Sequence, residues 1–213
     1  MGGQTVLVTG GAGYIGCHAV WGLKDAGIDV VVVDDLSTGR KENLPQDVPL
    51  HIGNAGDKAF VMDVIKQFGV DAVMHFAGSI VVPESVEKPI KYFRNNTVNS
   101  LTLIDACVDA GVKNFIFSST AAVYGEPEQV PIPEAHSTYP LNPYGDSKLM
   151  TEICLRAVGL AHGLKCGVLR YFNVAGADPQ MRTGQSTPDA THLIKIACQV
   201  ASGVRDKMSV FGT

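Results

Sequence analysis

Short apolar runs alternate along this chain with longer segments in which apolar residues recur at helical spacing. The runs predict β-strands and the longer segments predict helices. Because the runs are continuously apolar, we expect the strands to be covered on both faces. The pattern predicts an α/β fold, a doubly wound (Rossmann) parallel sheet with helices on both faces. Strands are predicted at residues 5–9, 28–33, 51–52, 72–76, 114–119 and 165–172, and helices at 14–27, 57–69, 89–110, 143–162 and 190–203.

The pattern changes after residue 172. Residues 173–188 are rich in Gly, Pro, Asp and Thr and show no period, which predicts a loop that leaves the sheet. We therefore divide the chain into a sheet domain over residues 1–172 and the beginning of a smaller, substrate-binding region over residues 173–213.

The first predicted strand ends in three glycines, Gly10, Gly13 and Gly16, spaced G-x-x-G-x-x-G before a helix. Glycine permits a positive φ and a close approach of the backbone to a pyrophosphate, which the helix N-terminus attracts. Asp34 closes the next strand, where a carboxylate binds ribose hydroxyls and repels the 2′-phosphate of NADP. The pattern predicts a dinucleotide site that favours NAD.

Composition narrows the class of protein. Of 213 residues, 46% are hydrophobic and 18% are charged, which is typical of a globular domain. The net charge of −4 and the absence of a long apolar run predict no nucleic-acid partner and no membrane partner. Five cysteines without a C-x-x-C pair, and an apolar strand that begins at once, predict a cytoplasmic protein without a signal peptide. No metal-ligand spacing occurs.

The candidate chemistry lies at the start of the helix predicted at 143–162. Tyr144 and Lys148 are four residues apart and share one helix face. A neighbouring ammonium favours a phenolate, and bringing a Tyr pKa from ~10 towards 7 requires ~4 kcal/mol. The tuned Tyr144 would act as a general base towards an alcohol. Thr120, at the carboxyl end of a strand, is placed to hydrogen-bond the reacting hydroxyl.

Five motifs succeed one another at the spacings of the extended short-chain dehydrogenase/reductase family, which the chain resembles over nearly its whole length. They are T-G-x-x-G-x-x-G from residue 9, H-F-A-G from 75, S-S-T-A-A-V-Y-G from 118, N-P-Y-G-x-S-K from 142 and L-R-Y-F-N-V-x-G from 169. The resemblance implies that Tyr144 is the catalytic base, that Lys148 holds the nicotinamide ribose, and that Thr120 assists.

The resemblance also implies two sets of binding residues. The cofactor contacts would be Gly10, Gly13, Tyr14, Ile15, Gly16, Asp34, Asn54, Phe76, Ala77, Gly78, Asn96, Tyr144, Lys148 and Tyr171. The substrate contacts would be Thr120, Tyr144, Asn173, His192, Leu193, Val210 and Phe211.

The implied reaction depends on the two residues directly after Thr120. Relatives that eliminate water carry an acidic pair there, whereas this chain carries Ala121 and Ala122. The resemblance therefore implies NAD-dependent epimerisation at C4 of a UDP-hexose, UDP-glucose or UDP-galactose, by transient hydride transfer. Two alternatives stay open: another UDP-sugar, a uronate or a pentose, and a non-catalytic NAD-binding module. Because family members continue beyond residue 213, we expect this chain to bind NAD with little or no turnover.

Three further expectations concern single features. The helix at 143–162 is apolar over about half its circumference, wider than the ~100° of a one-sided helix, which predicts a homodimer contact. Asn54 stands where many relatives carry Asp, and we expect its amide oxygen to accept a hydrogen bond from the adenine instead. His75 is expected to be a packed histidine and not a base.

Overall fold

A computed structural model describes residues 4–187 and 192–209 of the chain. In this part of the chain, six parallel strands form one sheet in the order β3-β2-β1-β4-β5-β6. This is the order of a doubly wound sheet, the fold class that the pattern predicts. The strands are β1 (Thr5–Thr9), β2 (Asp29–Asp34), β3 (Leu50–Ile52), β4 (Ala72–His75), β5 (Asn114–Ser118) and β6 (Lys165–Leu169).

The described residues contain seven α-helices, none of them long and apolar enough to cross a membrane. They are α1 (Tyr14–Asp25), α2 (Lys58–Phe68), α3 (Val82–Glu87), α4 (Pro89–Tyr92), α5 (Asn99–Asp109), α6 (Pro143–His162) and α7 (Leu193–Ala201). The helix predicted at 89–110 is interrupted by a π-helical segment, Phe93–Val98. Helix α3 was not predicted, because Val82 and Val86 are exposed and give it no amphipathic pattern.

Two apolar layers hold the sheet. Leu7 and Val73 face α2 and α5 on one side of the sheet, whereas Val6 and Val8 face α1 on the other. Successive side chains of a strand point to opposite faces, so one apolar run supplies both layers. Strand β6 differs, because all five of its residues are exposed.

The carboxyl ends of β1, β4, β5 and β6 meet at one edge of the sheet. β1 and β4 are neighbours although β2 and β3 come between them in sequence, so the strand order reverses there. Ligands of doubly wound sheets bind in the crevice at such a switch point. The loops predicted to carry chemistry all begin at this edge.

Residues 173–187 contain no helix or strand, as predicted. Residues 174–187, here called the strap, lie along α1 and give that helix a second contact surface. Four contacts hold the strap to α1: Tyr14 Oη donates to Gly176 O (2.7 Å), Cys17 Sγ and Thr183 Oγ1 lie 2.9 Å apart, Arg182 forms two 2.7 Å bonds to the Asp25 carboxylate, and the Arg182 guanidinium lies 4.3 Å from the Trp21 ring centroid.

Candidate functional site

The glycine turn joins β1 to α1 and leaves the helix N-terminus open. Gly10 has φ +69°, and a Cβ there would lie 2.5 Å from the Ala77 nitrogen. A Cβ on Gly16 would lie 2.1 Å from the Gly10 carbonyl oxygen. Gly13 precedes the helix, and no side-chain hydrogen bond caps the helix there. This cradle suits an anionic pyrophosphate.

Asp34 lies at the end of β2 with 7% of its surface exposed. Its Oδ2 accepts the Ala12 N–H (2.9 Å) and its Oδ1 accepts the Leu36 N–H (2.8 Å). Burial raises the pKa of this carboxyl, and the two backbone hydrogen bonds lower it. Each carboxylate oxygen keeps a lone pair for a further donor, as two ribose hydroxyls require.

The segment after β4 forms the wall between the glycine turn and α6. The N–H groups of Phe76 and Ala77 donate to Thr9 O, at 2.9 and 3.1 Å, and so hold the wall to β1. A Cβ on Gly78 would lie 3.3 Å from Lys148 Nζ. The absence of a side chain at Gly78 therefore allows the Lys148 ammonium to approach the wall.

Asn96 has a role that the sequence did not reveal. Its fully buried amide accepts the Ser79 N–H (2.7 Å) and donates to Ser79 O (2.9 Å) and to Ser147 Oγ (3.1 Å). Both amide protons are used within the protein. Asn96 therefore joins the wall to α6, and its contribution to a bound nucleotide is through the shape of that wall.

Asn54 differs from its expected arrangement. Its Oδ1 already accepts the Gly56 N–H (2.7 Å) and the Asn99 side-chain N–H (3.3 Å). With two bonds made, the oxygen has no lone pair left for an adenine amino group. Among the described residues the amide nitrogen has no hydrogen-bond partner, so Asn54 is suited to donate to a ring nitrogen.

The three predicted catalytic residues, Thr120, Tyr144 and Lys148, lie where β5 ends and α6 begins. Tyr144 is partly buried, which raises the pKa of its phenol, whereas the nearby Thr120 side chain lowers that pKa. Lys148 is 2% exposed and burial lowers its pKa to about 8. The Lys148 ammonium donates to Ser118 O (3.0 Å) and lies 5.0 Å from the Phe117 ring centroid.

Two tyrosines complete the surroundings of Tyr144. Tyr171, predicted as a cofactor contact, exchanges a hydrogen bond with the Ser118 hydroxyl, and its pKa is raised by burial and by Tyr144. Tyr92 was missed: its fully buried ring packs edge-on against Tyr144, with centroids 6.5 Å apart. The only sequence signal for Tyr92 was its place in an apolar helical pattern, which indicates burial and not contact with the site.

The residues predicted to bind the substrate are more widely spread than the predicted catalytic residues. Asn173 is exposed in the loop after β6, and Leu193 is 68% exposed at the start of α7. The ring of His192 lies 6.3 Å from that of Tyr14, and its Nδ1 lies 3.2 Å from Gln185 Nε2. Val210 and Phe211 lie outside the described residues.

His75 is buried and packed, as expected. Its Nδ1 lies 2.6 Å from Thr9 Oγ1 and its Nε2 2.7 Å from Ser100 Oγ. Burial and the nearby Lys148 lower its pKa to about 3, so the ring is neutral. Both nitrogens are used in joining β1 and β4 to α5. In residues 4–187 and 192–209, no group of His, Cys, Asp and Glu side chains could hold a metal ion.

The sheet is doubly wound, its glycine turn is open, an acid closes β2, and a Tyr-x-x-x-Lys helix lies at the switch point. Together these features define an extended short-chain dehydrogenase/reductase domain. The chain belongs to the NAD dependent epimerase/dehydratase family, whose family model matches residues 6–213.

Known relatives agree in sequence and in structure. The UDP-glucose 4-epimerase of Azospirillum brasilense is 62% identical over 98% of this chain and 60% of its own length. The crystal structure of the Brucella ovis UDP-glucose 4-epimerase in complex with NAD superposes with a TM-score of 0.94, at 41% identity over 98% of this chain and 64% of that one. The Bifidobacterium longum enzyme in complex with NAD⁺ and UDP gives 0.92, at 37% identity over 98% and 65%. The chain thus spans less than two thirds of the length of these relatives.

Proposed function

We propose that the protein catalyses NAD-dependent epimerisation at C4 of a UDP-hexose and so interconverts UDP-glucose and UDP-galactose. The observation that carries the proposal is the meeting of Thr120, Tyr144 and Lys148 at the switch point, with Ala121 and Ala122 where an eliminating enzyme needs acids. Similarity to UDP-glucose 4-epimerases supports this choice of substrate.

NAD, when bound, supplies a reversible hydride acceptor. The open α1 N-terminus, the glycine cradle and the lone pairs of Asp34 suit its pyrophosphate and adenosine ribose. The proposed cofactor residues remain Gly10, Gly13, Tyr14, Ile15, Gly16, Asp34, Asn54, Phe76, Ala77, Gly78, Asn96, Tyr144, Lys148 and Tyr171, with Asn96 acting through Ser79.

Tyr144 takes the proton of the substrate 4-hydroxyl as hydride leaves C4, and returns it when hydride is restored on the other face. The nearby Thr120 side chain lowers the pKa of Tyr144 and so favours its phenolate form. With a pKa of about 8, Lys148 is mostly protonated at pH 7 and has two N–H donors beyond the one used by Ser118 O. Those donors are suited to a ribose.

The substrate nucleotide is assigned to the region 173–213, through Asn173, His192, Leu193, Val210 and Phe211. The closeness of His192 to Tyr14 supports this assignment for the first part of the region. A second candidate function, a non-catalytic NAD-binding module, is favoured by the exposure of Asn173 and Leu193. An exposed substrate side admits water, which undermines retention of a 4-keto sugar.

We also propose a cytoplasmic homodimer. All five cysteines are free, as is usual in a reducing compartment. A groove of about 460 Å³ runs between α5 and α6, and exposed apolar side chains lie along both helices. A second copy related by a two-fold axis would cover this face with the same two helices.

The function is tested by two measurements on the purified chain: NAD content after denaturation, and a coupled assay for UDP-glucose formed from UDP-galactose. Because this chain by itself is expected to show little or no turnover, Tyr144→Phe is compared in a version extended to the length of the relatives, where it should lower turnover by about 10²–10⁴-fold. Tyr139→Phe is the matched control, because Tyr139 is 76% exposed. Bound NAD without turnover would favour the binding module. Turnover that survives in Tyr144→Phe would remove Tyr144 from the mechanism.

A further inference from the structure

A partly buried ion pair joins α6 to the residue directly after β6. Glu152 lies one helical turn after Lys148, and its side chain is 8% exposed. Arg170 Nε lies 3.1 Å from each carboxylate oxygen, and its Nη2 donates to Oε2 at 2.6 Å. The Ser119 hydroxyl also donates to Oε1 of Glu152. The proposed reaction assigns no role to this cluster.

The cluster surrounds the backbone that carries Thr120. The Ser119 N–H donates to Leu169 O, and the Ala121 N–H donates to Tyr171 O, both at 3.0 Å. Thr120 is therefore held from both sides by the two residues that flank Arg170. The Arg170 guanidinium also lies 4.9 Å from the Tyr124 ring centroid, in the turn that Thr120 begins.

Helix α6 carries the other half of the site. Tyr144, Lys148 and Glu152 are spaced four residues apart, so they lie along one side of the helix. Lys148 holds Ser118 O, and Glu152 holds the Ser119 hydroxyl. The end of β5 is thus attached to α6 by two consecutive residues, immediately before Thr120.

We propose that Glu152 and Arg170 are positioning residues, which hold the Thr120 hydroxyl and the Tyr144 phenol in the relation that proton transfer requires. The inference rests on the proposed function, because it presupposes that Tyr144 is the base. A displacement of about 1 Å between reacting groups can lower a rate by about 10²-fold. A bidentate guanidinium–carboxylate pair fixes both distance and orientation, which an apolar contact or a single ammonium does not.

The charges of the pair explain why it can lie so near the site. A lone carboxylate one turn from Lys148 would be a buried anion beside the Lys148 ammonium. Arg170 neutralises it, so the pair acts on the site through geometry. A charge-preserving substitution that loses the fork, Arg170→Lys, separates these two effects.

The test compares Arg170→Lys with Arg182→Lys, because Arg182 also binds carboxylates but lies in the strap. In NAD-loaded protein we measure kcat and KM for UDP-galactose, and titrate Tyr144 by NMR of ¹³Cζ-labelled tyrosine assigned with Tyr144→Phe. Arg170→Lys should lower kcat about 10–100-fold with KM unchanged. It should also raise the Tyr144 pKa by about 0.5–1 unit, because the Thr120 hydroxyl would move away from the Tyr144 phenol. Arg182→Lys should leave the titration of Tyr144 unchanged.

An unchanged Tyr144 titration in Arg170→Lys overturns the inference, whether or not the protein turns over. Because Tyr144→Phe separately decides whether Tyr144 is the base, failure of the inference and failure of the function are distinguishable. If Arg170→Lys does not fold, the double variant Glu152→Leu with Arg170→Met removes both charges together, a replacement that buried ion pairs often tolerate. Its Tyr144 pKa should also rise, and a wild-type titration there would contradict the proposal.

Discussion

Lys148 Nζ donates a 3.0 Å hydrogen bond to the carbonyl oxygen of Ser118, thirty residues earlier in the chain. This bond fixes the start of α6 to the end of β5 and directs the ammonium at the switch point of the sheet. The position has a cost, because Lys148 is 2% exposed and burial lowers its pKa to about 8 from 10.5. Burial disfavours the charged form of Lys148, so the position of its ammonium is unfavourable for folding.

The stability of the protein should therefore depend on Lys148 in a defined pH range. Between pH 8 and 10.5 the unfolded chain binds more protons than the folded one, so the free energy of unfolding rises with pH there. Lys148→Met should stabilise the protein at pH 7 by about 1–2 kcal/mol, after loss of the Ser118 bond, and the gain should shrink towards pH 10. Urea unfolding at several pH values measures both effects.

Lys113→Met is the control for that series, because Lys113 is exposed. It should change neither the stability nor its pH dependence by more than about 0.5 kcal/mol. A Lys148→Met gain that stays constant from pH 7 to 10 would contradict the assigned pKa.

Local signals explain why α6 was predicted with its observed bounds. Asn142 caps the first turn by accepting the Gly145 N–H (2.9 Å), Pro143 takes the first helical position, and Gly163 ends the helix with φ +71°. Each signal acts within a few residues of the helix end, so it can be read from the sequence. The apolar runs and their alternation with helices predicted the doubly wound parallel sheet in the same way, although not the order of its strands.

The parts of the site that escaped prediction depend on distant contacts. Helical spacing placed Lys148 on the same face as Tyr144, but the partner of its ammonium, Ser118, lies on another element. The same holds for Asn96, whose hydrogen-bond partners lie 17 and 51 positions away in the sequence. Glu152 and Arg170, which bind each other, are 18 positions apart. Sequence motifs identify which residues converge, whereas the direction of each hydrogen bond requires the packed structure.

Substitution by alanine should change the stability of the protein in opposite directions at two glycines of α1, Gly16 and Gly22. A Cβ on Gly16 would lie 2.1 Å from Gly10 O, whereas a Cβ on Gly22 meets nothing within 4 Å. Gly16→Ala should therefore destabilise the protein by about 3 kcal/mol and weaken NAD binding, because α1 must move away from the turn. Gly22→Ala should stabilise it by about 0.5–1 kcal/mol through helix propensity. Thermal unfolding of both variants measures the difference, and equal effects would show that α1 does not pack closely on the turn.

The proposed dimer should dissociate when charge is placed on its helical face. Met150 and Ile153 are apolar side chains of α6 that are 47% and 48% exposed. Ile153→Glu should convert the protein from twice the chain mass to the chain mass in light scattering, because a second copy would bury the carboxylate without a partner. Val130→Glu is the control, since Val130 is 85% exposed in the loop after β5. A parent chain that is monomeric at micromolar concentration would contradict the proposal.

Asp34 should determine the choice between NAD and NADP. Its carboxylate oxygens each accept one backbone N–H and keep a lone pair for a ribose hydroxyl. Hydrogen bonds to a charged group contribute about 1.5–3 kcal/mol, so Asp34→Asn should weaken NAD binding about 10–100-fold in calorimetry. The same change removes the repulsion of the 2′-phosphate, so binding of NADP should strengthen relative to NAD. Asp35→Asn is the matched control, because Asp35 is exposed and its carboxylate binds only Ser37 among the described residues. An Asp34→Asn protein that still prefers NAD by the parental ratio would show that another group discriminates between the two cofactors.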